Sequence, residues 1–108
     1  MKPELKARWV EALRSGKYTQ SYNTLRSNHG YCCLGVLCDV YNPDMWVEVD
    51  GYWKYTDDEN GYGSTAFLPT NIAEPNGIDF DKQVYLSSLN DVGGGSFAKI
   101  ADHIEANL

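Results

Sequence analysis

Long hydrophobic runs are missing from this sequence of 108 residues, since no segment approaches the ~18 apolar residues that a membrane-spanning helix needs. Residues 1–5 also lack the apolar segment of a secretory signal peptide. Internal repeats and low-complexity linkers are equally missing. These absences predict no membrane partner, a cytoplasmic location and a single globular domain over residues 1–108.

Cysteine is scarce and confined to one segment, because Cys32, Cys33 and Cys38 are the only three in the chain. An odd number of cysteines, at positions that one helix would keep from pairing, argues against the disulfide framework of a secreted protein. Reduced thiols suit the cytoplasm instead.

Positive charge is in deficit, with nine Lys and Arg residues against fifteen Asp and Glu residues and a net charge of −6. This balance excludes general binding of duplex nucleic acid, which depends on many phosphate contacts by basic residues. The charge is unevenly distributed, however: residues 1–31 carry +4 and residues 32–108 carry −10. A small anionic ligand would therefore bind in the N-terminal third.

Three segments have clear helical signals. Pro3 and helical apolar spacing up to Gly16 predict a helix over residues 3–15. Turn residues before Tyr31 and Asn42-Pro43 after it predict a buried helix over residues 31–41. Ser96 is the predicted N-cap of a C-terminal helix with one apolar face. That face comprises Phe97, Ile100, Ala101, Ile104 and Leu108.

The clearest strand signal is a hairpin over residues 45–56. Two alternating apolar runs flank Asp50-Gly51, the preferred pair for a two-residue turn, which places Trp46 opposite Tyr55. Other segments are less regular: residues 17–25 are a short strand or an extended loop, and residues 64–68 are a third strand. Residues 69–74 form a helical turn, and residues 83–89 form a strand or a turn of helix.

Helices segregated from an antiparallel meander predict an α+β fold. The predicted architecture is a small single domain with an N-terminal helix, a buried central Cys-rich helix, an antiparallel hairpin or meander sheet and a C-terminal helix.

The cysteine segment has two readings. Cys32 or Cys33 at a helix N-terminus would have a lowered thiol pKa and could act as a nucleophile with His29 or His103 as base. Cysteine is also one of the most buried residue types, and the helix around it is apolar on nearly every side, which favours core packing. The spacing is poor for zinc, and we predict neither a metal nor a cofactor.

Two polar segments are weaker candidates. Asn90-Asp91, followed by glycines 93–95 and Ser96, is typical of an anion-binding loop and equally of a plain flexible loop. The acidic run 57–59 lacks the spacing of a calcium loop and is interpreted as a solvated charge run.

The basic residues of the N-terminal third lie among tyrosines, a pattern that suits phosphates and stacked bases. This group consists of Arg14, Lys17 and Arg26 with Tyr18, Gln20, Tyr22 and Tyr31.

Several of these motifs together resemble a family of short phage and prophage proteins. The resemblance rests on residues 9–20, on Leu25-Arg26, on residues 31–39, on Leu89-Asn90-Asp91-x-Gly93 and on residues 96–105. It covers both ends and the cysteine segment but not the hairpin or the acidic loop. It implies a phage accessory protein in a bacterial host cell, and some such proteins are sponges that sequester cyclic nucleotide alarm signals without cleaving them. The triple glycine departs from the shorter family loop.

Our leading hypothesis is therefore a non-catalytic, homo-oligomeric sponge for a small nucleotide-like anion. Its predicted ligand residues are Arg14, Lys17, Tyr18, Gln20, Arg26, Tyr31, Cys32, Asn90, Asp91 and Ser96. One alternative is a cysteine-dependent hydrolase or transferase. Another is an inhibitor of a host protein whose anchors are Trp46, Trp53 and Tyr55 of the hairpin.

Overall fold

Three of the helices predicted from the sequence are present in the computed structural model, which describes residues 1–56, 63–92 and 94–108. They are α1 (Pro3–Arg14), α2 (Cys33–Tyr41) and α5 (Phe97–Asn107). Pro3 stands at the first turn of α1, and the Ser96 side chain accepts a hydrogen bond from the Lys99 amide at the start of α5. Their boundaries agree with the prediction to within two residues.

Helix α2 lies at the centre of the core and packs against α1. All six residues from Cys33 to Cys38 are buried. Trp9 of α1 is fully buried and its Nε1 donates to the Cys33 carbonyl at 2.9 Å. Helix α5 closes this core by packing along α1 through its apolar face.

The predicted hairpin is confirmed in both position and register. It consists of β3 (Trp46–Val49) and β4 (Tyr52–Tyr55), with Trp46 opposite Tyr55 and Val49 opposite Tyr52. Asp50 and Gly51 both have positive φ, which a two-residue turn of this handedness requires. The Trp46 and Tyr55 rings meet edge to face at 5.1 Å, as the register predicted.

A second, smaller hairpin precedes α2 and was not predicted. It pairs β1 (Arg26–Ser27) with β2 (Gly30–Tyr31), and β1 packs against β4. Tyr31 thus belongs to a strand rather than to α2, and Cys32 is the N-cap of that helix. Residues 17–25 contribute one isolated bridge, from Gln20 to Tyr31, so the extended-loop reading describes them better.

For residues 83–89 the helical alternative is the correct one, although the helix is much longer than the predicted single turn. They lie inside α4 (Phe80–Asp91), which begins at the Asp79 cap and packs against α2 and α5. Its buried residues are Gln83, Leu86 and Asn90, a helical spacing in which two of the three side chains are polar. The sequence of α4 therefore lacks the apolar periodicity by which a helix is predicted.

Two smaller predictions also met different outcomes. Residues 64–68 do not form the third strand, because only Ser64 pairs, through one bridge to Tyr55. The helical turn over 69–74 is confirmed as α3 (Thr70–Ala73), which continues as a 3₁₀ turn over Glu74–Asn76. The acidic run 57–59 and Gly93 lie outside the described residues.

No helix in the described part of the chain has both the length and the apolarity to cross a membrane.

Candidate ligand site

The three thiols are buried in the core around α2. The Cys32 sulfur caps the helix by accepting from the Gly35 amide at 3.4 Å. Burial nevertheless raises the pKa of Cys32 to about 11, because the hydrogen bonds from backbone amides, which lower this pKa, have a smaller effect than burial. Burial also raises the pKa of Cys33 well above its ordinary value. The expected lowering of the thiol pKa by the helix end is therefore wrong, because removal from water penalises the thiolate more.

Neither histidine is placed as a base for these thiols. His29 is exposed in the turn between β1 and β2, and His103 lies on α5 with its ring 4.9 Å from Tyr85. No hydrogen bond joins either ring to a cysteine within the residues that the structure describes. In the same residues, no three His, Cys, Asp or Glu side chains converge as metal ligands would.

Arg14 is engaged by carboxylates of the neighbouring helix. Its guanidinium lies 2.6 Å from an oxygen of Asp102 and 3.2 Å from one of Glu105, both on α5. Hydrogen bonds to Glu105 and Asp102 raise the Arg14 pKa further. The prediction that Arg14 offers a charge to a ligand is thus weakened, since two acids already neutralise it.

Gln20, Asn90 and Asp91 form a structural network around the buried Asn90 instead of a ligand loop. Asn90 accepts from Gln20 Nε2 at 3.0 Å and from the Cys33 amide at 3.2 Å, and donates to the Ser21 carbonyl and to Asp91 at 2.8 Å each. Its side chain is 1% exposed. These contacts bind the loop before β1 to α4 and to the start of α2. Gln20 Nε2 also donates to the Gly95 carbonyl at 2.8 Å, so the side-chain N–H groups of Asn90 and Gln20 are taken up by described residues and are not offered to an anion. Ser96 is likewise used as a helix cap.

Arg26 is placed differently from Arg14, because aromatic rings surround it. Its guanidinium carbon lies 3.7 Å from the ring centre of Trp53, 5.1 Å from that of Tyr31 and 5.4 Å from that of Trp46. Among the described residues, no carboxylate lies within ion-pair distance of Arg26 and no hydrogen-bond acceptor takes its side-chain donors. Within the described residues, Arg26 is thus a half-buried cation with unused N–H groups on an aromatic surface.

The aromatic surface continues from Tyr31 to Tyr18. Their rings meet edge to face at 5.1 Å, and Tyr31 meets Trp46 at 6.0 Å. Asp39 of α2 holds this arrangement by accepting from the Tyr18 hydroxyl at 2.6 Å and from Trp46 Nε1 at 3.0 Å. Burial, and then the bond to Asp39, raise the pKa of Tyr18, so its phenol remains protonated and donates. We call Arg26, Tyr31, Trp46, Trp53 and Tyr18 the Arg26 cluster.

A groove of about 430 Å³ opens beside Tyr18 and Asp39. Lys17 and Arg8 line it, together with Glu11. Arg8 donates to the Val40 carbonyl at 2.6 Å, whereas no described acceptor takes the Lys17 ammonium. Tyr18 therefore lines this groove beside Lys17 and also contacts Tyr31, whose ring lies next to Arg26.

The hairpin residues Trp46, Trp53 and Tyr55 share the face that is turned toward the core and Arg26. Tyr55 is fully buried and donates to the Asn42 carbonyl at 3.0 Å. The prediction that Tyr55 is an exposed anchor for a partner protein is therefore wrong. Trp46 and Trp53 are half-buried against Arg26. The sequence analysis assigned both tryptophans to the host-protein alternative and not to the ligand site. The hairpin register was the one sequence signal that placed them on the same face.

Comparison with known families gives one match, while no curated protein and no solved structure matches the chain. Residues 1–83 match the family described as a domain of unknown function (DUF8296). The matched region contains α1 to α3 and the whole Arg26 cluster. Since the match spans most of the 108 residues, the chain belongs to this family.

Proposed function

We propose that this chain is a non-catalytic binding protein for a small nucleotide-type anion, and that the Arg26 cluster is its ligand site. One observation carries the proposal: Arg26 stacks 3.7 Å from the Trp53 ring and has no acidic partner among the described residues. A guanidinium stacked on a ring keeps its N–H groups in its own plane. Those groups can then bind two phosphate oxygens side by side.

The surroundings of Arg26 suit the rest of a nucleotide. Tyr31 and Tyr18 are partly exposed rings beside the cation, and aromatic rings stack with bases of any sequence at roughly 1–3 kcal/mol per base. Lys17, next to Tyr18 along the chain, supplies a second cation in the groove on the other side of Tyr18. A ligand with two phosphates and a base could thus contact both ends.

Binding without cleavage is the form of this function that the chemistry favours. The thiols are buried with raised pKa values, and neither histidine is positioned to activate them. The resemblance to phage accessory proteins suggests the setting, in which the ligand would be a cyclic oligonucleotide alarm signal that the protein sequesters inside a bacterial host cell. Anion binding and the identity of the anion can be tested separately, since the site predicts an anion and the resemblance predicts which one.

Isothermal calorimetry against cyclic di- and trinucleotides, with linear dinucleotides alongside, tests the proposal. Arg26→Ala should weaken binding by roughly 10- to 100-fold, because a charge-assisted hydrogen bond contributes about 1.5–3 kcal/mol. Arg26→Lys should restore little of the loss, since lysine lacks the planar fork. Arg14→Ala is the matched control and should leave the affinity unchanged, because its charge is already taken by Asp102 and Glu105.

Three outcomes would count against the proposal. No heat from any nucleotide with a folded sample rejects a nucleotide ligand. An equal loss in Arg14→Ala and Arg26→Ala rejects the site. Hydrolysis of the ligand, followed by chromatography, rejects the non-catalytic form.

A further inference from the structure

Asp39 is a half-buried carboxylate that has no cation within ion-pair distance among the described residues. Its Oδ2 accepts from the Tyr18 hydroxyl at 2.6 Å, and its Oδ1 accepts from Trp46 Nε1 at 3.0 Å. A carboxylate has about four acceptor positions, so each oxygen of Asp39 retains capacity for a further donor. Asp39 also lines the groove of about 430 Å³ beside Tyr18, where a ligand could supply those donors.

The walls of this groove suit a flat ring. Apolar atoms lie next to the Tyr18 ring, and the residues that supply them are Ala12, Val40 and Pro43. The volume of the groove falls within the roughly 300–1,000 Å³ of small-molecule pockets. Nucleobases are flat ring systems that stack on aromatic side chains, so the groove has the size and the walls to hold one.

The charges around the groove decide which part of a nucleotide enters it. Glu11 and Asp39 balance Arg8 and Lys17 in the lining. Arg26, in contrast, lies on three rings and has no carboxylate within ion-pair distance in the described part of the chain. A phosphate is therefore drawn to Arg26, and the uncharged base is left to the groove.

We infer that the base in this groove is guanine and that Asp39 is the residue that selects it. Guanine presents two adjacent donors, N1–H and the 2-amino group, and a carboxylate can accept two such donors side by side. Adenine and cytosine place an acceptor nitrogen beside their amino group, and uracil flanks its one N–H with two carbonyls. Each of these three bases would set an acceptor against a carboxylate oxygen. The inference rests on the proposed function, because it names the base of the same nucleotide ligand.

Glu11, the other carboxylate of the groove, is less suited to this selection. It is exposed on α1, where water competes for its hydrogen bonds, whereas Asp39 is half-buried and fixed by two internal hydrogen bonds. A hydrogen bond is stronger where the surroundings exclude water, and an acceptor that is already held in place loses less freedom on binding. Glu11→Gln, which removes a charge from the same groove, is therefore the matched control for Asp39→Asn.

Isothermal calorimetry with three cyclic dinucleotides, which carry guanine, hypoxanthine or adenine, tests the inference. Hypoxanthine is guanine without the 2-amino group, so its ligand should bind about 10- to 100-fold more weakly, the effect of one hydrogen bond to a charged acceptor. The adenine ligand should bind no better than the hypoxanthine ligand. This comparison uses the unaltered protein and so does not depend on the folding of any variant.

The variants then separate base selection from a merely structural role. Asp39→Asn should remove most of the preference for guanine over hypoxanthine, because an amide presents one acceptor in place of two. Glu11→Gln should leave that preference unchanged. A residue that only positions Tyr18 and Trp46 would instead lower all three affinities by the same factor, so the ratio of affinities identifies the role of Asp39. Circular dichroism checks that both variants are folded.

Each other result contradicts the inference. Equal affinity for the three ligands, or a tighter adenine ligand, rejects guanine selection while the proposed function stands. A guanine preference that survives in Asp39→Asn, or a proportionate loss of all three affinities in that variant, rejects Asp39 as the selecting residue. No heat from any of the three ligands rejects the proposed function, and the inference with it.

Discussion

The α2 core and the Arg26 cluster contain the two sets of side chains most suggestive of chemistry, and the fold treats them in opposite ways. Cys33 to Cys38 are completely enclosed, and the Cys32 sulfur and the Cys33 amide both have partners. Arg26 lies half-buried on aromatic rings, and in the described part of the structure its guanidinium has no acceptor. The comparison shows that accessibility to a ligand, more than residue type, separates a candidate site from a core.

The same contrast appears between the two arginines. Arg14 and Arg26 both belong to the basic N-terminal third, yet Arg14 contacts two carboxylates and Arg26 contacts three rings. Ion pairing uses the charge of Arg14, whereas ring stacking leaves the in-plane donors of Arg26 available. Only the second arrangement is suited to binding an anion.

The largest expected effect tests how tightly the α2 core is enclosed. A Cβ built on Gly35 would lie 1.7 Å from the Leu25 carbonyl oxygen, so α2 and the backbone at Leu25 could not both keep their positions. Gly35→Ala should destabilise the fold by more than about 4 kcal/mol or prevent folding, although Gly→Ala inside a helix ordinarily stabilises by about 1 kcal/mol. Urea denaturation measures this, with Val40→Ala at the open end of α2 as control. A stabilised Gly35→Ala would show that the core is looser than we describe.

The next effect tests whether Asn90 is structural or available to a ligand. Asn90→Ala removes the acceptor of the Cys33 amide and the donor to the Ser21 carbonyl, both inside the fold. Leaving such buried groups unpaired should cost roughly 2–4 kcal/mol of unfolding free energy. Asn71→Ala, an exposed asparagine of α3, should change it by less than about 0.5 kcal/mol. If Asn90→Ala kept full stability but lost nucleotide binding, the residue would belong to the site after all.

The smallest effect concerns pH and compares the folded thiols with those of the unfolded chain. The folded pKa of Cys32 is about 11 against an ordinary value of 9.0, so the folded state keeps a proton that the unfolded state releases. The contribution of Cys32 to the free energy of unfolding is therefore constant below pH 9 and is lost as pH rises above it, at about 1.4 kcal/mol per pH unit. Urea denaturation from pH 7 to 10.5 measures the slope.

Thiol labelling checks the same burial directly. A disulfide reagent at pH 8 should label none of the three cysteines until the protein is unfolded, when all three react. Stability that stays level up to pH 10.5, or one cysteine that reacts rapidly in the folded protein, would return the cysteine-nucleophile alternative to consideration.

Much of the fold could be read from local patterns. The N-terminal helix, α2, α5 and the main hairpin all have apolar spacing, capping residues or turn residues within a few positions of one another. The full length of helix α4 was missed because its buried face carries Gln83 and Asn90, whose partners lie at Leu68, Ile78, Cys33 and Ser21. A polar residue is recognised as a core residue only when those partners are known.

The candidate site was predictable only in part. Lys17, Tyr18, Arg26 and Tyr31 were selected from composition, and the structure brings the rings of Tyr18 and Tyr31 together beside Arg26, with Lys17 next to Tyr18 in the neighbouring groove. Trp46 and Trp53 were absent from the predicted site, since nothing local connects the hairpin with residue 26. Arg14, Asn90 and Ser96 were included, and the structure uses them for an ion pair, a buried network and a helix cap.

The sequence by itself determined the α+β class, the hairpin register and the burial of the cysteine helix, because periodicity and turn chemistry act between neighbours in the chain. Tertiary structure alone decided which arginine is neutralised by carboxylates and which lies on aromatic rings, and which face of α4 is buried. Those outcomes depend on contacts between residues far apart along the chain, such as Arg14 with Asp102 and Arg26 with Trp53. Such contacts form only when the elements pack, and no local pattern encodes them.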